Sequence, residues 1–151
     1  MKSTHHFKVQ LDWEKTEDRK TFKNHQIKIE GKPNLDVSAA KAFKGDASLL
    51  NPEDLLLSSI TSCHMMSYLY CCSREKIDVI SYKDNAEAIL NVDEKGSGRI
   101  EKVILRPEVV IKDKIDLEMA EKLHIEANKL CFIANSCNFV VEHIPSISYE
   151  L

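Results

Sequence analysis

Hydrophobic and polar residues alternate along the first part of the chain. Over residues 6–13, with the sequence HFKVQLDW, every second side chain is apolar, which is typical of a half-buried strand. After a polar turn, the alternation resumes over residues 21–31. The two segments predict a β-hairpin, and a short strand near residues 35–37 is expected to follow it before a loop. The alternating apolar residues of the first segment are Phe7, Val9, Leu11 and Trp13.

The longest apolar stretch predicts a helix over residues 52–74. Asn51 is a favourable N-cap, Pro52 suits the first helical position, and acidic residues in the first turn complement the helix dipole. Residues 55–72 carry no Asp, Glu, Lys or Arg and approach the length of a membrane span, but they include several Ser and Thr residues and a His. We therefore expect a helix that is apolar on most sides and runs through the middle of a protein, not a membrane span.

The remaining sequence predicts further strands and one more helix. Two strands over residues 77–92 and 99–112 are joined by the turn-forming sequence DEKGSG. A second helix is expected to start after Asp116, a suitable N-cap, and to end at about Leu130. A final strand over residues 139–149 completes the predicted order β-β-β-α-β-β-α-β.

Length and charge narrow the class of protein. At 151 residues without repeats or a linker, residues 1–151 are predicted to form a single α+β domain. Acidic and basic residues are interleaved, with a net charge of −3, so we expect neither a nucleic-acid partner nor a membrane. The N-terminal segment lacks the apolar run of a secretory signal, which favours the cytoplasm, where thiols stay reduced.

The five cysteines are an odd number, so they cannot all pair within the chain. In the predicted first helix, Cys63 and Cys71 lie about 12 Å apart along the axis. A disulfide requires Cα atoms within about 7 Å, so these two cannot pair, and Cys72 is farther still. We expect Cys71 and Cys72 to be small buried hydrophobic residues. If Cys63 has a partner in the chain, that partner is Cys131 or Cys137.

The position of each candidate residue limits its chemistry. Cys63 lies in the middle of a helix and is reactive only if a cation stabilises its thiolate, so spacing alone favours a structural role. Cys131 is predicted at a helix C-terminus, where the dipole disfavours a thiolate. It is therefore better suited to react in a second step than to be the first nucleophile. Glu53, in the first helical turn, is explained by its interaction with the helix dipole alone.

A metal site is the other chemistry that these residue types allow. His64 follows Cys63 directly and points about 100° away from it around the helix. Because adjacent helical side chains diverge in this way, a zinc site of Cys63, His64 and Cys131 is disfavoured. A buried histidine with satisfied hydrogen bonds is the simpler interpretation of His64.

Two separated motifs resemble those of a known family. The sequence NPEDLLLSSITSCHMM resembles the central-helix signature of the osmotically inducible protein C-like (OsmC-like) family, which includes the organic hydroperoxide resistance proteins. In that signature a cysteine follows the glutamate by ten residues, as Cys63 follows Glu53. The sequence CFIANSCNF resembles the second cysteine motif of the family and places that cysteine at Cys131. The segments HQIKIEGKP and KAFKGDASLLNPE are similar to one branch of the family, so the resemblance covers nearly the whole chain.

The resemblance implies a thiol peroxidase without a bound cofactor. Cys63 would attack an organic hydroperoxide and become a sulfenic acid, and Cys131 would condense with it to a disulfide. An external dithiol, either a lipoylated protein or a small thiol, would then reduce the disulfide. A stress-associated binding protein with the same fold and little turnover is the alternative. Cys137 remains open as a spare resolving thiol, a partner of Cys131 or a core residue.

The resemblance also implies an architecture and a third group of site residues. The OsmC-like fold has antiparallel sheets wrapped around two central helices in an intertwined homodimer. A family arginine pairs with the glutamate that matches Glu53. The nearest position here is Lys23, with Arg19 as the alternative. A lysine supplies charge but not the bidentate contact of a guanidinium with a carboxylate.

Overall fold

A computed structural model describes residues 1–150, except for the side chain of Ile115. The chain divides into two units, residues 1–55 and the part that starts at Leu56. Each unit is described by itself, and one helix runs across the boundary between them. The prediction of a single domain over residues 1–151 stays a prediction.

The first unit contains a three-stranded antiparallel sheet in the order β1-β2-β3. Leu11 lies opposite Ile27, which in turn lies opposite Leu35, so the alternating apolar positions share one register. The predicted hairpin is confirmed, but its strands are shorter than the alternation suggested. Outside the paired residues, Phe7 is 94% exposed. The strands are β1 (Gln10–Asp12), β2 (His25–Lys28) and β3 (Leu35–Val37).

Helix α1 spans Pro52–Arg74, as the sequence predicts. Its N-terminus is capped by Asn51, whose side-chain oxygen accepts a hydrogen bond from the Asp54 backbone N–H at 2.8 Å. The Asn51 backbone N–H donates in return to the Asp54 carboxylate at 3.4 Å. This reciprocal arrangement satisfies two backbone donors that a helix start would otherwise leave unpaired.

In the second unit, α1 buries one stripe of side chains and exposes another. The buried positions recur at intervals of three or four residues, as expected for one helical face. Met66 and Tyr70 are each 57% exposed. The sequence predicts a helix that runs through the middle of a protein, but a single chain leaves this side of α1 uncovered. No helix in the described part of the chain is both long and apolar enough to cross a membrane. The buried residues of α1 are Ile60, His64, Tyr68, Cys71 and Cys72.

Two further three-stranded sheets lie in the second unit, in the orders β4-β7-β9 and β5-β6-β8. Each combines an antiparallel pair with a parallel pair, because β8 and β9 run parallel to their neighbours. The sheets of this unit are therefore mixed, where the resemblance implied antiparallel sheets. The six strands are β4 (Val79–Asp84), β5 (Glu87–Val92), β6 (Gly98–Leu105), β7 (Pro107–Ile111), β8 (Val140–His143) and β9 (Ser146–Tyr149).

The three long strands predicted in this part are each broken into two. Between β6 and β7, the Arg106 N–H bonds to the Asp84 carboxylate at 2.8 Å instead of to a neighbouring strand. Between β8 and β9, Pro145 has no N–H to contribute to a ladder. The observed order is therefore β-β-β-α-β-β-β-β-α-α-β-β, with the helices and sheets of an α+β fold.

Helix α2 spans Leu117–Leu130, close to the predicted bounds, and the short helix α3 spans Phe132–Asn135. Asp116 precedes α2 but its side chain makes no capping hydrogen bond. Helices α1 and α2 contribute to an apolar cluster with β7, which contains Tyr68, Cys71 and Cys72 of α1 and Ala120 and Ala127 of α2. A second cluster is built around Ile60, Val103 and Leu105.

Candidate active site: a thiol pair, and two cavities

The thiols of Cys63 and Cys131 lie next to each other. Cys63 is half-buried in the middle of α1, and Cys131 is fully buried between α2 and α3. The Sγ of Cys131 accepts a weak hydrogen bond from the Ala134 backbone N–H at 3.5 Å. Burial raises the pKa of Cys131 to about 11, and a hydrogen bond with the Cys63 side chain contributes to this rise. The structure thus brings together the two cysteines that the sequence selects.

The raised pKa of Cys131 determines the protonation state of this thiol. With a pKa of about 11, Cys131 is a neutral thiol near pH 7. A thiol is a weak nucleophile, since the thiolate is the attacking species. In this geometry Cys131 is a poor first nucleophile.

The other three cysteines have the surroundings of core residues. Cys71 and Cys72 are 4% and 1% exposed within the first apolar cluster, which confirms that they are buried small side chains. Cys137 packs against the second cluster, and its Sγ donates to the Ile133 carbonyl oxygen at 3.2 Å. Burial raises the pKa of all three thiols. For Cys137, these contacts favour the core role over the two redox roles.

Within the first unit, Lys23 and Glu53 line one cavity of about 360 Å³. Aromatic side chains form much of its wall, with Trp13 and Phe22 in an edge-to-face pair whose ring centroids are 5.7 Å apart. Trp13 Nε1 also donates to the Phe22 carbonyl oxygen at 2.8 Å, which fixes the indole in place. Phe43 completes the apolar part of the wall.

The charged groups at this cavity do not pair with each other. Lys23 Nζ donates to the Phe43 carbonyl oxygen, and no ion pair between Lys23 and Glu53 occurs in the described structure. Glu53 Oε2 is buried without a hydrogen-bonding partner among the described residues. Arg19 lies in an exposed turn and does not line the cavity. Of the two candidates for the family arginine, only Lys23 shares a cavity with Glu53.

A cluster of three histidines forms a feature that the sequence did not predict. His64 Nε2 and His124 Nδ1 are 3.0 Å apart, so one ring donates a hydrogen bond to the other. The His143 ring is 4.3 Å from that of His64, and the Tyr68 ring stacks on His124 at 3.9 Å, measured between centroids. His64 is buried as expected, but its Nδ1 has no partner within residues 1–150, so its hydrogen bonding is incomplete.

One signal in the sequence could have found part of this cluster. His124 occupies a position on the apolar face of α2 that also carries Ala120, Leu123 and Ala127. A polar ring on such a face must meet a partner inside the protein. His143 gives no comparable signal, because it ends a strand of mixed burial.

The structure does not assemble the zinc site considered above. Within the described residues, no group of three or more His, Cys, Asp or Glu side chains is arranged to hold a metal ion. His64 instead forms its hydrogen bond with His124, while Cys63 adjoins Cys131.

Comparisons with known proteins agree with this fold. The sequence profile of a family described as OsmC-like protein matches residues 45–143. Over 142 residues the chain is 28% identical to the uncharacterized protein YmaD of Bacillus subtilis. This alignment covers 91% of this chain and 90% of YmaD. The fold is also similar to the structure of an OsmC-like protein of unknown function from Vibrio cholerae, with a TM-score of 0.81 and 28% sequence identity. The superposition covers 95% of this chain and 99% of that chain.

A structure of an organic hydroperoxide resistance protein from Elizabethkingia anophelis has a TM-score of 0.75, at 19% identity, over 99% of this chain and 100% of that chain. At this identity the likeness concerns the fold alone. The family match covers well over half of the sequence, so the chain belongs to the OsmC-like family. The predicted family and the α+β OsmC-like fold are thereby confirmed.

Proposed function

We propose that the protein is a thiol-dependent peroxidase that reduces organic hydroperoxides. The Cys63 thiolate attacks the distal oxygen of ROOH, so that the O–O bond breaks and the alkoxide leaves to take up a proton as the alcohol. Cys63 is oxidised to a sulfenic acid, and Cys131 attacks its sulfur to form a disulfide and release water. A dithiol, either a lipoylated protein or a small thiol, reduces the disulfide and is itself oxidised.

The adjacency of Cys63 and Cys131 is the observation that carries this proposal. The two thiols come from the middle of α1 and from the junction of α2 and α3, far apart in sequence, and nevertheless adjoin each other. The high pKa of Cys131 keeps it protonated, as expected of a residue that reacts second. Membership of a family that includes organic hydroperoxide resistance proteins supports the same reaction class.

Glu53 and Lys23 are proposed to assist the reaction by their charge. The unpartnered Glu53 oxygen is available to accept a hydrogen bond, and the Lys23 ammonium lines the same cavity. Arg19 remains the alternative source of positive charge. Because a lysine cannot form the bidentate contact of arginine, we expect weaker stabilisation of a thiolate than the family arrangement provides.

An intertwined homodimer is proposed as the working assembly. The exposed stripe of α1 contains Met66, Leu69 and Tyr70, which are 57%, 37% and 57% exposed in the single chain. Adjacent exposed apolar residues of this size mark an interaction surface. A second copy of the chain would cover this stripe.

The test is a titration of the fully reduced protein with cumene hydroperoxide. Remaining thiols are counted, and the crosslinks are mapped by mass spectrometry. Rapid loss of two thiols with a Cys63–Cys131 bond supports the peroxidase. If Cys63 reacts no faster than a free small thiol, the peroxidase proposal is wrong.

The second candidate is an OsmC-like binding protein with little turnover. The absence of an ion pair between Lys23 and Glu53 in the described structure is the observation that favours it, because the thiolate would then lack the family's charge arrangement. The same titration distinguishes the two functions, since a binding protein leaves Cys63 reduced at peroxide concentrations that oxidise a peroxidase.

A further inference from the structure

The histidine cluster belongs to a group of buried polar atoms without partners. Among the described side chains of the second unit, these atoms are His64 Nδ1, His124 Nε2, His143 Nε2, Tyr82 OH and Asp84 Oδ2. They lie in one neighbourhood, because Tyr82 is 6.4 Å from His124 between ring centroids and interacts electrostatically with Asp84. Native proteins leave few buried polar atoms unpaired, so a concentration of them requires an explanation.

The cluster opens onto a cavity of about 490 Å³. His124 and His143 both line this cavity, and His124 is only 2% exposed. The Nδ1 of His124 is occupied by its hydrogen bond to His64, which leaves Nε2 as the free position. The remaining wall combines apolar Ile125 and Pro145 with the amide of Asn128.

The site disfavours a cation. Burial, together with the smaller effect of the nearby His143 ring, lowers the pKa of His64 to about 3 and that of His124 to about 4. The pKa of His143 is also lowered by burial. All three rings are therefore neutral at pH 7. In the part of the chain that the structure describes, no group of three or more His, Cys, Asp or Glu side chains is arranged to hold a metal ion.

An anion is disfavoured by the charges at the same cavity. Glu118 and Glu121 line it, and the one lysine of the wall, Lys122, is engaged in an ion pair with Glu118. Glu121 is left as a net negative charge that repels an anionic ligand.

A hydroxyl group matches what two neutral imidazoles offer. Each neutral ring nitrogen is either a donor or an acceptor, depending on the tautomer, and a hydroxyl can donate to one and accept from another. We propose that this cavity is a second ligand-binding site, in which His124 and His143 hydrogen-bond the hydroxyl of an uncharged alcohol or phenol. Ile125 and Pro145 contact the apolar body of the ligand. The site is distinct from the thiol pair, because neither Cys63 nor Cys131 lines the cavity.

Ligand entry requires a small rearrangement of the wall. The two Nε2 atoms are buried, so neighbouring side chains must rotate before a hydroxyl reaches them. Exposed side chains rotate on the picosecond to nanosecond timescale, so this step does not limit binding in a titration.

The test is a titration of the 15N-labelled full-length protein with phenol at pH 7, followed through the histidine ring 1H–15N signals. Ring signals are assigned with His124→Gln and His143→Gln. We expect a saturable shift of both rings with a dissociation constant on the order of 1 mM, the range for so small a ligand. Toluene, which lacks the hydroxyl, and benzoate and benzylamine, which carry opposite charges, should bind at least about tenfold more weakly.

A matched pair of surface variants locates the site. Ile125 is 63% exposed at the cavity, so Ile125→Trp fills it without disturbing the core. Glu126→Trp places the same side chain at the next exposed position, which does not line the cavity. Ile125→Trp should weaken phenol binding at least about tenfold, while Glu126→Trp changes it less than about twofold.

Four results would overturn the proposal. The first is the absence of a saturable shift with phenol, and the second is benzoate or benzylamine binding as tightly as phenol. The third is an equal effect of the two tryptophan variants. A Zn²⁺ titration that shifts the same signals at lower concentrations than phenol would replace the alcohol site with a metal site. Because none of these readouts involves peroxide, the result is independent of the proposed peroxidase activity.

Discussion

Helix α1 carries two groups of cysteine whose surroundings differ sharply. Cys71 and Cys72 are enclosed by an apolar cluster with Ala120 and Ala127, in which the Tyr68 hydroxyl donates to the Ala120 carbonyl oxygen at 3.0 Å. Two helical turns earlier, half-buried Cys63 meets the thiol of Cys131. The residue type and the helix are the same, so the difference in chemistry comes from what each sulfur touches. Of these cysteines, Cys63 adjoins a sulfur from a distant part of the chain, with which an unstrained internal disulfide can form.

The largest expected effect separates the two groups directly. Cys63→Ser should reduce hydroperoxide consumption to the rate without protein, because serine cannot form a sulfenic acid. Cys72→Ser should keep activity within about twofold but lower the free energy of unfolding by about 1–3 kcal/mol, the cost of burying a poorly paired hydroxyl. Peroxide assays and urea unfolding of both variants measure the contrast. A Cys72→Ser protein of full stability without activity would contradict it.

Between the two cysteine groups, α1 carries His64, which makes the fold sensitive to acid. The pKa of His64 is about 3 and that of His124 about 4 in the folded protein, while an unfolded histidine titrates near 6.5. The unfolded chain therefore binds more protons below about pH 6.5, and stability falls as the pH decreases. At pH 4.5 the loss should be about 2–3 kcal/mol for each of these two rings.

Asp84 acts in the opposite direction on the same transition. Burial raises the pKa of the Asp84 carboxyl, so this group is protonated in the folded protein at a higher pH than in the unfolded chain. Its protonation therefore offsets a small part of the stability that the histidines lose as the pH falls. Urea unfolding at pH 7.0, 6.0, 5.0 and 4.5 measures the slope. His124→Gln should flatten the profile and His5→Gln, at an exposed position, should leave it unchanged. A wild-type profile that is flat down to pH 4.5 would show that the rings are not held neutral.

A smaller effect distinguishes the two cysteines near the end of α2. Cys131→Ser should leave the first oxidation of Cys63 within about threefold but lower steady turnover with a dithiol at least about tenfold, because no internal disulfide forms. Cys137→Ser should change neither rate by more than about twofold, since its thiol contacts only the core and the Ile133 carbonyl. Stopped-flow oxidation and steady-state assays separate the steps. The reverse pattern would identify Cys137 as the resolving cysteine.

The smallest expected effect concerns the positive charge near Glu53. Lys23→Met should lower the rate constant for Cys63 oxidation about fivefold, the effect of one partly exposed charge, and Arg19→Met less than about twofold. Lys23→Arg should restore or exceed the wild-type rate, because arginine can contact a carboxylate in bidentate fashion. A larger loss with Arg19→Met than with Lys23→Met would assign the role to Arg19.

Local signals in the sequence account for much of the fold. The Asn51 cap, Pro52 and the acidic first turn defined the start of α1, and the structure places the helix over Pro52–Arg74. These signals act within a few residues, so they can be read without knowing the fold. The breaks in the later strands could not be read in this way. The one at Arg106 depends on a carboxylate from another strand, Asp84.

The sequence by itself therefore determined helices α1 and α2, the first hairpin and, through the resemblance, the family and the two cysteines of the candidate site. Only the tertiary structure decided that Cys131 is buried against Cys63 with a high pKa, and that Lys23 shares the cavity of Glu53. It also brought together His64, His124 and His143 from two helices and a strand. Such groupings depend on contacts between distant segments, and their energies arise from desolvation that no local pattern in the chain records.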